Sequence, residues 1–120
     1  MKVAVTAQSD NPDGALDPHF GRAKKFVVFD TETGQHAAHD NAQNLNAAQG
    51  AGIQAAQSVA RLGAEVLLTG HVGPKAFRTL AAAGIRIYLS PPGTVAAALE
   101  AWKAGTLKEA TGANVEGHWV

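Results

Sequence analysis

A chain of 120 residues fits one domain around one core, and 46% hydrophobic against 17% charged residues sets it well away from intrinsic disorder. Its 10 Lys and Arg balance 10 Asp and Glu, so no general attraction to nucleic acid or anionic membrane follows and any preference for anions has to be local. There is no cysteine, which excludes disulfides, thiolate metal ligands and cysteine nucleophiles together.

The N-terminus, Met1-Lys2-Val3-Ala4-Val5, enters an apolar run with no small-residue cleavage site behind it. No window approaches the roughly 20 apolar residues that span a bilayer, so a cytoplasmic protein is expected. Lys2 to Ala7 reads as a strand buried on both faces. Gln8 to Ala15 is too polar and too rich in Asn, Asp, Pro and Gly for a helix, and leads into Asp17-Pro18-His19-Phe20-Gly21-Arg22. That hexapeptide puts an acid, an imidazole, an aromatic ring and a guanidinium between a Pro and a Gly. Long ordered loops of this kind tend to carry function.

Lys24 to Asp30 is a second strand, Thr31 to Gly34 a turn, and Gln35 to Asp40 a third strand whose low apolar content suits a sheet edge. Asn41 to Gln49 is polar. Gly50 to Leu62 has Ile53, Ala56, Val59 and Ala60 at helical spacing, with Gly63 just past its end. Glu65 to Thr69 is a fourth strand, and Gly70 to Gly73 connects it to a helix with Pro74 in its first turn, ending at Gly84. Ile85 to Leu89 is a fifth strand, Ser90 to Gly93 a turn, and Thr94 the N-cap of a helix through Lys103. Gly105 to Val120 shows no clear period. The expected domain is therefore 1 to 104, followed by a tail of 105 to 120 in which Trp119 is an anchor.

The order βββαβαβα predicts an α/β fold with a five-stranded mixed sheet flanked by helices. Crossover helices make strands three, four and five parallel, and the hairpin makes strand two antiparallel to one and three. The carboxyl ends of strands one, three, four and five then share one edge, where open α/β sheets bind ligands. The hexapeptide arrives at that edge, with the loops after Asn41, Gly70 and Ser90. Three helices also begin there, near Gly50, Pro74 and Thr94, each with backbone N–H groups and the positive end of a dipole. With Arg22, Lys24 and Lys75 added, the edge suits an anion.

Gly50-Ala51-Gly52 matches neither a dinucleotide fingerprint nor a P-loop, and small residues there equally let a helix lie close on the sheet. His19 and His71 come from different loops on the same edge, as a metal site or as solvated side chains. Phe20 is either a plug beneath the loop or a ligand-facing ring, and Arg22 can pair with Asp17. His36, His39 and His118 carry no signal. The strand order is also that of ribonuclease H, whose nucleases hold metal ions on carboxylates, one of them in the first strand. Here Val3-Ala4-Val5-Thr6-Ala7 has no acid, and Ser9, Ser58 and Ser90 lack a nucleophile-elbow context. A divalent-metal hydrolase or phosphoryl-binding domain on the same fold is the alternative to a binding protein.

Taken in order, Asp17 to Arg22, Asn41-Ala42-Gln43-Asn44, Gly50-Ala51-Gly52-Ile53 and Thr69-Gly70-His71-Val72-Gly73-Pro74-Lys75-Ala76 resemble the dinitrogenase iron–molybdenum cofactor biosynthesis family. The likeness spans about residues 1 to 103. It implies a ribonuclease H-like fold used to carry metal–sulfur cofactors, and is greatest to members that hold an anionic molybdenum–copper sulfide cluster without covalent attachment. The iron–molybdenum cofactor or a precursor is the alternative cargo. The resemblance implies that His19 contacts the cofactor or its metal. A cluster bringing its own sulfide needs no cysteine, because sulfide replaces thiolate as the soft ligand. The expected contacts are His19, Phe20, Gly21, Arg22 and Lys24, then Asn44, Gly50, Ala51 and Gly52, then Gly70, His71, Val72, Gly73, Pro74 and Lys75. The expected partners are the inorganic cluster and a cofactor donor or acceptor protein, with no nucleic acid and no membrane.

Overall fold

The computed structural model describes residues 1 to 41 and 50 to 113, with the side chain of Ala51 left aside. The sequence expectations for Asn44, His118 and Trp119 lie outside the described residues.

Six strands form one sheet in the order β3-β2-β1-β4-β5-β6. They are β1 (Lys2–Ala7), β2 (Lys25–Asp30), β3 (His36–Asp40), β4 (Val66–Thr69), β5 (Arg86–Leu89) and β6 (Lys108–Glu109). β1 is central, and beyond Lys2 every residue in it is buried, as expected of a Val-rich strand covered on both faces. β2 is antiparallel to β1 and β3, while β4 runs parallel to β1 and β5, so β1, β3, β4 and β5 all point the same way. This is the expected arrangement.

Three helices cover the sheet: α1 (Ala51–Arg61), α2 (Pro74–Ala82) and α3 (Val95–Lys103). α1 and α2 enclose a core with Ala4, Phe26, Val28, Leu67 and Ile87 on one face of the sheet. α3 closes the other face over Val3, Val5, Val27, Val66 and Leu68. The alternation of adjacent β1 residues between the two cores is the period-2 geometry of a strand. Helices α1 and α2 end on Gly63 and Gly84 at positive φ, the left-handed cap glycine supplies without a Cβ penalty. Among the described residues no helix is long and apolar enough to cross a membrane.

The sheet has six strands where the sequence predicts five. Lys108–Glu109 pairs antiparallel with Tyr88 and Leu89, and Ala110 N–H donates to Ile87 O at 2.8 Å. Two charged residues have no hydrophobic period to show. What holds them is tertiary: the Arg86 guanidinium grips the Glu109 carboxylate through two bonds, 2.8 and 3.2 Å. Hydrogen bonding from Arg86 holds the Glu109 carboxyl below its ordinary value. A depressed folded-state value contributes stability above the unfolded one, lost as pH falls through the folded one. The Ala110 amide is therefore expected to exchange faster as pH falls below the ordinary glutamate range, after correction for intrinsic exchange, and Glu109→Gln is expected to abolish that dependence.

Candidate functional site

The long loop after β1 divides into two parts with different work. Its first part seals the start of α3. Val95 N–H donates to Gly14 O (3.0 Å), Ala96 N–H to Pro12 O (2.9 Å), and Ala97 N–H to the Thr94 hydroxyl (3.0 Å). Leu16 N–H in turn donates to Gly93 O at 2.9 Å. The sequence counts three helix N-termini facing the edge; the α3 donors are taken by this loop, which leaves α1 and α2. Among the described residues neither of those two has a side-chain cap. α1 starts from Gly50 at φ 68°, and Gly52 is buried in its first turn.

The second part of the loop is the hexapeptide, and it is laced to the end of β4. Asp17 N–H donates to Thr6 O (2.9 Å), and the Thr6 hydroxyl donates to Asp17 O (2.6 Å) and lies 3.0 Å from the Thr69 hydroxyl. Both threonines are fully buried, so this small network satisfies polar groups that would otherwise be costly at the strand ends. His71 N–H then donates to Pro18 O (2.7 Å) and Phe20 N–H to His71 O (3.2 Å). The two segments run side by side as a short parallel bridge between His19 and His71.

This pairing requires a close approach at Gly70. A Cβ there would lie 2.9 Å from Pro18 O and 3.0 Å from Pro18 Cα, backbone that cannot yield cheaply. The Asp17 carboxylate, a candidate partner for Arg22 in the sequence, instead accepts from His19 N–H at 3.1 Å. That local bond fixes the turn that presents the imidazole.

The predicted site residues separate by burial. Phe20, Gly21, Gly52, Val72 and Gly73 are buried, Gly70 and Pro74 half-buried, and His19, Arg22, Lys24, Gly50, His71 and Lys75 exposed. Phe20 sits in a single 3₁₀ turn, Phe20–Arg22, with its ring in the core 6.0 Å from that of Phe26. It is the plug beneath the loop and presents no face to a ligand. Val72 likewise has no exposed surface. Above them the rings of His19 and His71 stand 5.8 Å apart, tilted by 51°. Among the described residues no group of three or more His, Asp or Glu side chains gathers to hold a metal ion.

Asn41 enters the sequence reading only as the first residue of the Asn41-to-Asn44 motif, with no structural role assigned to it. It lies at the end of β3, its N–H donates to Lys24 O (3.0 Å), and its buried side-chain amide donates to Ala23 O (2.9 Å) and Gly21 O (3.4 Å). It therefore ties the 3₁₀ turn to the sheet edge. Its Oδ1 has no hydrogen-bond partner among the described residues. An Asn directly after a strand reads as a turn residue, and bonds reaching 18 and 20 positions away leave no local signal. Lys25 adds a second tie, with its ammonium between Asp10 of the loop (3.1 Å) and Asp40 of β3.

The arrangement is thus a rigid, backbone-bonded shelf with two imidazoles and three cationic side chains exposed around the end of the sheet where α1 and α2 begin. Its donors are imidazole, guanidinium, ammonium and backbone N–H, a set that fits an anion carrying its own soft ligands better than a bare metal ion.

Solved structures share this architecture. The apo form of the orange protein from Desulfovibrio gigas superposes with a TM-score of 0.90 at 45% identity, over 95% of this chain and 96% of that one. A NifB-like protein of the DUF35 family from Thermotoga gives a TM-score of 0.83 at 34% identity, over 97% and 98%. An uncharacterized protein of Methanocaldococcus jannaschii is 30% identical over 90 residues, 73% of either chain. The sequence profile described as dinitrogenase iron-molybdenum cofactor matches residues 1–105, and the chain belongs to that family.

Proposed function

We propose that this chain is a non-enzymatic carrier that holds an anionic molybdenum–copper sulfide cluster, without covalent attachment, on a ribonuclease H-like scaffold at the carboxyl edge of the sheet. The observation that carries the reading is the pairing of the hexapeptide with Gly70 and His71, which puts two exposed imidazoles side by side where α1 and α2 begin. The family description, which names an iron–molybdenum cofactor, and the similarity to the orange protein support a cofactor-handling role.

The roles follow from chemistry. His19 and His71 offer imidazole nitrogens to copper or hydrogen bonds to sulfide. Arg22, Lys24 and Lys75 supply positive charge that a neutral chain has to concentrate locally, and the starts of α1 and α2 add their dipoles. Sulfide fills the metal coordination that cysteine would otherwise provide. Phe20, Gly21, Val72 and Gly73 act from below, as the floor that fixes these groups.

Mixing the apo-protein with tetrathiomolybdate and a copper salt is expected to give charge-transfer absorbance that stays with the protein through desalting. His19→Ala and His71→Ala, both exposed positions, are expected to lower retention while leaving the fold intact. Colour that separates from the protein on gel filtration overturns the proposal. Metal and sulfide analysis of protein purified anaerobically from its host distinguishes molybdenum–copper from the iron–molybdenum cofactor or a precursor.

A further inference from the structure

Among the described residues β3 is the outer strand of the sheet, with no strand paired on its far side. Asp30 N–H donates to Gln35 O (2.8 Å) and Asn41 N–H to Lys24 O (3.0 Å), which fixes the phase of the β2–β3 ladder. His36, Ala38 and Asp40 then stand opposite Phe29, Val27 and Lys25 in its non-hydrogen-bonded positions. Their N–H and C=O groups point away from β2, along the open edge. Within its five residues β3 has no Pro, no Lys and no Gly, Asp40 is its one carboxylate, and Ala37 and Ala38 lie mid-strand.

The order of side chains complements itself. In an antiparallel pairing about a two-fold axis at Ala38, Ala38 meets its own copy, His36 meets Asp40 of the second copy, and Ala37 meets His39. Each His36–Asp40 pair opposes an imidazole to a carboxylate, and the symmetry makes it occur twice. Asp40 is held ionised, its carboxyl kept below the ordinary value by the Lys25 ammonium. On the α1 side, a groove of about 370 Å³ runs beside Ala37 between Val28, Asp30 and Leu62, where His39 of the second copy would enter. Lys2 and Arg61 also line it. They sit by the carbonyl end of α1, where cations are expected on electrostatic grounds, so they are no argument for a separate anion site.

We propose that the β3 edge is a self-association surface, through which two copies join antiparallel into one continuous sheet. Reversal of β3 across the axis puts the two carboxyl edges at opposite ends of the joined sheet, so neither cluster seat is covered. The inference is independent of what the seat holds.

Sedimentation equilibrium of the whole chain from micromolar to millimolar concentration tests it. The mass is expected to rise from one 12.3 kDa chain toward two and to stop there, with the Ala38 and Asp40 amides gaining exchange protection as it does. Ala38→Pro removes an outward donor and leaves the β2 ladder intact; it is expected to give a monomer. His36→Asp puts like charges opposite each other twice and is expected to weaken association about tenfold, whereas His36→Lys strengthens it. The two His36 variants change an exposed side chain and decide the matter even if Ala38→Pro disturbs folding. A monomer at every concentration, a dimer insensitive to the sign of residue 36, or growth beyond two copies overturns the proposal.

Discussion

Phe20→Ala is expected to lower stability by about 3–5 kcal/mol and Tm by roughly 10–20 °C, the range for emptying a fully buried aromatic site in a domain of this size. The ring has no exposed surface and packs beside Phe26 in the core under α1 and α2. Its backbone belongs to the site: Phe20 N–H donates to His71 O, and His19 just before the turn and Arg22 at its end both face solvent. The cavity would therefore open beneath the shelf. Leu80→Ala is the matched control. Leu80 is also fully buried in the same core but lies in the last turns of α2, away from the hexapeptide. Both variants are expected to melt earlier, and at a temperature where both remain folded only Phe20→Ala is expected to lose cluster retention. Equal retention in the two would show that the ring supports the fold and leaves the site untouched.

Gly70→Ala is expected to cost about 1–3 kcal/mol, because the added methyl group has to displace Pro18 backbone atoms at 2.9 and 3.0 Å. The displacement has a direction. It pushes the hexapeptide off the β4–α2 connection and breaks the His71–Pro18 and Phe20–His71 bonds that set the two imidazoles side by side. Faster exchange of the His71 and Phe20 amides, together with loss of cluster retention, is the expected signature. Gly93→Ala provides the comparison, since a Cβ there meets nothing within 4 Å; it is expected to be neutral or slightly stabilising. A Gly70→Ala protein with unchanged amide exchange would mean that the close approach is not what holds the loop.

The strand directions were legible because they follow from local signals: the Thr31-to-Gly34 turn forces an antiparallel pair, and the Ala-rich helices after β3 and β4 force parallel ones. With directions settled, the shared carboxyl edge followed, with His19 and His71 both on it; that their rings stand 5.8 Å apart did not. Other features were set by tertiary contacts with no sequence period. β6 exists because Arg86 and the open side of β5 receive Lys108 and Glu109. The start of α3 is closed by carbonyls of Pro12 and Gly14, some 80 residues earlier, so its dipole is unavailable to a ligand. Phe20 could not be assigned from its neighbours, since a polar hexapeptide gives no indication that its aromatic ring turns inward. The tie that Asn41 makes was illegible for the complementary reason: the residue stands out only as part of a motif, and it works on a segment, Gly21 to Ala23, that the chain has already left.

The most direct measurement of the central claim is an amide map of the apo-protein against the same protein loaded with a molybdenum–copper sulfide cluster. Shifts are expected to concentrate in residues 17 to 24, 50 to 52 and 70 to 75, with the groove around Lys2, Asp30 and Arg61 unchanged. Shifts centred on that groove, or colour retained with no change around His19 and His71, would contradict a cluster seated at the carboxyl edge.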